Sequence, residues 1–300
     1  MCAYYNINYF DICLIDEATQ CTEPWTLLPM RFGIPHLVLV GDTQQLPAIV
    51  LPQKAVDFGL AKSMFDRIQR SLEKQQADQP HAHLSVHTKL FKLTTQYRMH
   101  PEICKWPNRY FYEDQLVNQE GLERLLATPI LPYAVINLGF TRDTSDPKTR
   151  SISNEEEARF VTKLLTEMDK HLPSKRYGYG LISPYSSQCY ALSQMLPTHM
   201  RLSPPLTVDA YQGMESDVVV ISNARTRSSG FLANYQRLNV AVTRPRRCLI
   251  ICGNFNDLQN VGMWGDLLDD ARKRGIYFDL KREDVANLRE SLISKLLVKP

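Results

Sequence analysis

The sequence has no CxxC pair among its seven cysteines, an odd number, so it carries neither a zinc ribbon nor a disulfide framework. No apolar run approaches the roughly 18 residues of a membrane span. The first residues, MCAYYNINYF, lack the basic-then-apolar layout of a signal peptide. Those absences point to a reducing compartment, cytosol or nucleus. Net charge is only +3, which leaves any nucleic-acid affinity to a local basic surface and not to bulk charge. There is no solenoid repeat. What remains is a globular composition, 44% apolar and 22% charged over 300 residues, long enough for about two domains.

The apolar run FDICLI, residues 10–15, stops at Asp16-Glu17 and is expected to form a buried parallel strand with two carboxylates at its tip. HLVLV, residues 36–40, repeats the design and stops at Gly41-Asp42. A helix-length connection over residues 22–33 joins them into a βαβ unit, whose ligands belong beyond the carboxyl ends of its strands. From Glu73 the chain turns polar (EKQQADQPHAHLSVHT), as a linker or surface insertion does. The expected domains are therefore residues 1–75, a linker over 76–89, a second domain over 90–260 and a helical extension over 261–300.

The second domain repeats strand and helix: YAVINL (133–138), NEEEARFVTKLLTEM (154–168), YGLIS (179–183), DVVVIS (217–222) and CLIICG (248–253) predict a doubly wound α/β sheet. Ser153 and Glu156 have the spacing of a capping box. Trp264, Leu267, Leu268 and Ala271 share a helical face expected in the core. Val285, Leu288, Leu292 and Leu296 suit a terminal helix docked on the core or on a protein partner. Cys248 and Cys252 are expected to be core thiols, and His81, His83 and His87, with no Cys or acid pair nearby, a polar loop and not a metal site.

Asp16-Glu17 carries the sharpest chemistry. A hydrolytic nucleotide site needs one carboxylate on Mg²⁺ and a second to orient the attacking water, although an isolated pair also serves as a solvated helix cap. Five segments follow in one order: DEATQ (16–20), GDTQQLP (41–47), QYRMHP (96–101), TVDAYQGMESDVVVIS (207–222) and NVAVTRPRR (239–247). Together they resemble motifs II to VI of superfamily 1 helicases, most closely the senataxin-type branch, over most of the chain.

That resemblance implies an α/β fold of two RecA-like P-loop NTPase domains, the first incomplete at its N-terminus, each a parallel sheet flanked by helices. It implies ATP and Mg²⁺ as cofactors: Asp16 would hold the metal, Glu17 act as general base and Gln45 sense the γ-phosphate. Tyr97 would stack on adenine, Arg98 bind the γ-phosphate, Gly213 and Glu215 lie near phosphate and ribose, and Arg244 serve as arginine finger. For single-stranded RNA or DNA, RNA:DNA hybrids included, the candidates are Thr207, Tyr185 and the basic-aromatic stretch Lys175, Arg176, Tyr177. Lys175 to Tyr177 are read first as a solvated turn before a strand, and as a binding stretch only second.

None of the 13 glycines is followed by lysine, so the GxxxxGK[ST] loop that cradles nucleotide phosphates is absent from this sequence. Two classes of function stay open at this point. One is the C-terminal portion of a nuclear, or alternatively cytoplasmic, ATP-dependent 5′ to 3′ helicase. The other is an inactive module that binds nucleic acid or a partner, with a nucleotide-gated scaffold as a remoter variant.

Overall fold

The computed structural model describes residues 10–78, 89–200, 202–227, 234–260 and 262–298. The chain divides into two compact units, Met1–Leu93 and Thr94–Pro300.

In the first unit, β1 (Ile12–Ile15) leads through α1 (Glu23–Leu27), with Pro24 in its first turn, to β2 (His36–Leu39). The strands pair in parallel, Ile12 opposite His36 and Ile15 opposite Leu39. Helices α2 (Gln53–Asp57) and α3 (Met64–Asp78) follow. The expected burial of β1 does not occur: Ile12 and Leu14 are 60% and 64% exposed. A strand is buried on both faces only where a layer covers each, and among the described residues this sheet has two strands. The expected linker also begins later than its composition suggests, because α3 continues to Asp78. Glu, Lys, Gln and Ala are good helix formers, and a polar helix and a linker share that composition. A fork from Arg67 to Glu23 and an i,i+4 pair from Arg70 to Asp66 hold this solvated helix. His81, His83 and His87 lie outside the described residues.

The second unit opens with β3 (Thr95–Gln96), α4 (Pro101–Phe111), β4 (Val117–Asn118) and α5 (Leu122–Leu126). Next come β5 (Tyr133–Asn137), β6 (Thr144–Ser145), β7 (Ile152–Ser153), α6 (Glu155–Asp169), β8 (Tyr179–Ser183) and α7 (Ser186–Met195). β9 (Leu206–Thr207), β10 (Ser216–Ser222), α8 (Tyr235–Val242), β11 (Pro245–Gly253), α9 (Gly262–Lys273) and β12 (Tyr277–Asp279) complete it. Six strands form one sheet in the order β12-β5-β11-β10-β8-β9, every pairing parallel. This is the helix-flanked parallel sheet expected of a RecA-like domain. YAVIN and YGLIS are apolar without alternation because both faces are covered, and every residue of β5 and β8 is buried. Phe160, Val161, Leu164 and Leu165 of α6 pack with Val218, Val220 and Ile250 of the sheet.

Three expectations change here. The cap of α6 is Asn154, whose side chain accepts the Glu157 N–H at 3.0 Å, because Ser153 is taken up in β7. Residues 261–300 are no extension: β12 is an edge strand of the sheet, and α9 buries Trp264, Leu267, Leu268 and Ala271 completely. Leu288, Leu292 and Leu296 are buried in the core that α6 forms with the sheet, with Val285 packed against it, so that stripe is not available to a protein partner. Cys248 and Cys252 are core thiols, as expected.

Candidate functional site

In the first unit the two strand tips are stitched together. Val40 N–H donates to Ile15 O at 2.9 Å and Ala18 N–H to Val40 O at 2.7 Å. Asp16-Glu17 and Gly41-Asp42 therefore leave the carboxyl edge side by side. Gly41 is required by closeness, since a Cβ there would come within 3.1 Å of Thr19 N. Glu17 has left-handed backbone, φ 50° and ψ 40°, a conformation costing about 1–3 kcal/mol in a residue with a side chain. Asp16 Oδ1 accepts its N–H at 2.9 Å, and Glu17 Oε2 accepts from Gln20 Nε2 at 3.1 Å. Across the edge, Asp42 accepts the Gln44 N–H and the Gln45 side-chain amide, both at 2.9 Å, which orients Gln45.

Mg²⁺ takes hard oxygen ligands and usually keeps several waters, binding through one or two carboxylates plus substrate phosphates. Asp16, exposed at the strand tip, is a donor of that kind. Among the described residues no three His, Cys, Asp or Glu side chains gather into an all-protein metal site. The donor set thus fits Mg²⁺ carried by a polyphosphate.

In the second unit Tyr97, Arg98, Gly213, Glu215 and Arg244 fall at or near the amino ends of β10 and β11, the opposite strand end from the acids of the first unit. Ser216 N–H donates to Arg244 O at 3.2 Å, joining the two strand starts. Gln96 Oε1 accepts the Arg98 and Met99 N–H groups at 3.1 and 2.8 Å and folds the QYRM turn. His100 N–H then donates to Arg246 O at 2.7 Å and ties that turn to β11. Arg98 Nε donates to Glu215 Oε2 at 2.7 Å, and Arg246 Nη1 stands 3.7 Å from Glu215 Oε1. One carboxylate is therefore flanked by two guanidiniums. The Tyr97 ring is 63% exposed and offers a stacking face. Gly213 has φ +77° with open space around it, so conformation and not crowding calls for glycine.

Arg244 does not project as the finger assignment requires. It is 2% exposed, folded back so that Nε donates to Val240 O at 2.9 Å and Nη2 to Thr243 Oγ1 at 3.1 Å. Carbonyls at the end of α8 offer a cation this seat.

The five nucleic-acid candidates do not share one edge. Thr207 pairs with Ser183 and Tyr185 follows two residues later, at the carboxyl edge, whereas Lys175, Arg176 and Tyr177 form the turn before β8 at the amino edge. Tyr185 is 9% exposed, packed with Ile152 and Ala224, so its ring offers no stacking face. Tyr177 is half-buried, with Arg176 and Arg247 over its ring at 5.4 and 5.9 Å. Lys175 and Arg176 are exposed cations.

Sequence reasoning placed Asp42 at a strand tip but gave it no partner, and passed over Arg246 and the fork from Arg237 to Asp209 at 2.9 and 3.2 Å. All three lie inside or beside quoted motifs, and their partners could not be read from spacing. Glu157 is one of three acids in the first turn of α6. It is fully buried, accepting from Ser222 Oγ at 2.6 Å and Ala224 N–H at 2.9 Å, and burial pushes its acid up to about 7.

An AAA domain family matches residues 60–256, and a second AAA domain family matches residues 2–53. The chain is 32% identical over 288 residues to helicase sen1 of Schizosaccharomyces pombe, covering 91% of this chain and 16% of that protein. It is 33% identical over 302 residues to probable helicase senataxin of Homo sapiens, covering 97% of this chain and 11% of that protein. The chain therefore spans a small part of the length of these relatives. Among solved structures it is similar to the PRRSV helicase at a TM-score of 0.43 and 15% identity, over 94% of this chain and 49% of that one, a likeness too low to bear on the site.

Proposed function

From the premise that the chain belongs to the AAA domain family of senataxin-type superfamily 1 helicases, we propose that it supplies hydrolytic and coupling residues of an ATP-dependent helicase. That helicase moves 5′ to 3′ on single-stranded RNA or DNA, acts on RNA:DNA hybrids, and works in the nucleus. The observation that carries this reading is the Asp16-Glu17 pair at the carboxyl edge, with Glu17 kept in strained backbone and Gln45 oriented beside it.

Each residue has a definable task. Asp16 would ligate Mg²⁺, which when bound supplies neutralisation of the charge on the transferring phosphoryl group. Glu17 accepts the proton of the attacking water, and Gln45 hydrogen-bonds the γ-phosphate. Tyr97 offers its ring face to adenine. Arg98 must leave Glu215 to bind phosphate oxygens through two parallel hydrogen bonds, and Glu215 then becomes available to the ribose. Gly213, with no side chain, admits phosphate close to the backbone. Arg244 can act as a second cation only by leaving the Val240 carbonyl. Thr207, Lys175 and Arg176 stay as polar contacts for a nucleic-acid backbone.

The test is strand-stimulated ATP hydrolysis, measured on this chain and on a longer protein that joins it to a GxxxxGK[ST] loop. The 300-residue chain should show no useful turnover, because that loop supplies much of nucleotide affinity. The longer protein should turn over and lose activity in Glu17→Gln. Robust turnover by the chain alone, or a longer protein indifferent to Glu17→Gln, would overturn the reading.

A further inference from the structure

His100 lies two residues beyond Arg98, buried where the QYRM turn enters α4. Its carbonyl starts the helix by accepting from the Ile103 and Cys104 N–H groups, and two further bonds tie the turn down. Its N–H donates to Arg246 O at 2.7 Å, and its ring Nδ1 accepts the Glu102 N–H at 3.2 Å, capping α4 ahead of Pro101. A ring nitrogen that accepts cannot also carry the proton, so the neutral imidazole has its hydrogen on Nε2. Protonation would turn Nδ1 into a donor facing a donor, and the cap would be lost. Asn, Asp, Ser and Thr are the usual residues for this task, and none of them gains a proton between neutral and mildly acid pH.

The rest of α4 is fixed independently. Arg274 Nη2 donates to Glu102 O and Oε2, both at 2.7 Å, Trp106 Nε1 donates to Asp266 at 2.8 Å, and Arg109 forks onto the same carboxylate. With the helix held by α9, the turn in front of it is the element left to adjust. That turn carries Arg98, and the residue accepting from the His100 N–H is Arg246, whose guanidinium flanks Glu215 opposite Arg98.

We infer that His100 is a positioning residue: as a neutral cap it fixes the turn that holds Arg98 against Glu215, and protonation releases that turn. Resting on the nucleotide role proposed for Arg98, this makes nucleotide handling sensitive to acid. The charged groups around the ring are Glu102 and Lys105 of α4 and Glu123 of α5, with Arg246 of β11 facing it through its carbonyl. Burial outweighs the two acids and holds the imidazole below its usual range, so the cap is intact at neutral pH.

The experiment is an NMR titration of this chain from about pH 8 to about pH 4, through and below the ordinary histidine range. It follows the His100 ring nitrogens, the Glu102 amide and the Arg98 Nε–H. In the wild-type chain the neutral ring should carry its proton on Nε2. Relative to intrinsic exchange at each pH, protection of the Glu102 amide should fall about tenfold as His100 titrates, and protection of the Arg98 Nε–H should fall with it. His100→Asn, which caps without titrating, should keep both protected throughout, and His100→Ala should lose both at every pH. If His100→Ala does not fold, the wild-type titration against His100→Asn decides. A proton on Nδ1 at neutral pH, or an Arg98 Nε–H indifferent to the titration, would overturn the inference. None of these readouts requires turnover, so they fail or hold independently of the ATPase role.

Discussion

The two units present their candidate residues on opposite ends of parallel strands and on sheets of opposite character. In the first, the acids sit at the carboxyl edge of a strand pair whose side chains alternate between exposed and half-buried; in the second, the arginines and Glu215 sit at the amino edge of a sheet buried on both faces. The carboxyl edge of a parallel sheet is where ligands ordinarily bind, and the acids follow that rule. At the amino edge no such crevice is provided, and the arginines are held by side-chain pairing and by carbonyls at the end of α8. The acids of the first unit are thus placed by backbone geometry, and the arginines of the second by the partner each guanidinium keeps.

The largest effect expected from this contrast is at Glu17. In the longer, turning-over protein, Glu17→Gln should lower kcat about 10³-fold while leaving the melting curve unchanged, since the side chain is only half-buried. The sheets themselves differ next. Ile250→Ala, in a fully buried strand, should cost about 2–5 kcal/mol by denaturant titration, whereas Leu14→Ala, 64% exposed, should cost well under about 1 kcal/mol. Equal costs would erase the distinction between covered and uncovered sheet.

A third effect concerns pH. Glu157 titrates at about 7 in the fold against 4.5 ordinarily, raised by burial, so the folded state favours its neutral form. Its contribution is complete below 4.5, falls as pH rises towards 7, and is lost above that. Glu157→Gln should remove a slope on the order of 3 kcal/mol across that window, read as the difference between the two stability curves. Smallest is the Arg98–Glu215 pair, whose side chains are 38% and 41% exposed. A double-mutant cycle on stability should give about 1 kcal/mol or less, and a larger coupling would mean that the arginine edge is built as rigidly as the acid one.

The apolar runs YAVIN, YGLIS and CLIICG were legible as buried strands because covering layers on both faces leave no alternation. FDICLI has the same pattern and is exposed, since a strand's own residues do not record what covers it. EKQQAD was misjudged because a solvated helix and a linker draw on the same residues. Asp16, Glu17 and Gln45 could be located from strand ends and motif chemistry together. The pairing of Arg98 with Glu215 spans 117 residues, and no local pattern encodes it. Arg244 and Tyr185 were given solvent-facing tasks, because arginine is mostly exposed and a tyrosine's burial cannot be read from its neighbours in sequence; the Val240 carbonyl for one, and Ile152 with Ala224 for the other, hold them inside.

The nucleotide roles proposed for Asp16, Glu17 and Arg98 are tested most directly by a crystal structure of the longer protein with Mg²⁺, ADP and aluminium fluoride. Asp16 should ligate the cation, Glu17 should hold the attacking water, and Arg98 should have exchanged Glu215 for the fluoride group. A structure in which Arg98 still pairs with Glu215 while Asp16 alone meets the nucleotide complex would contradict the account.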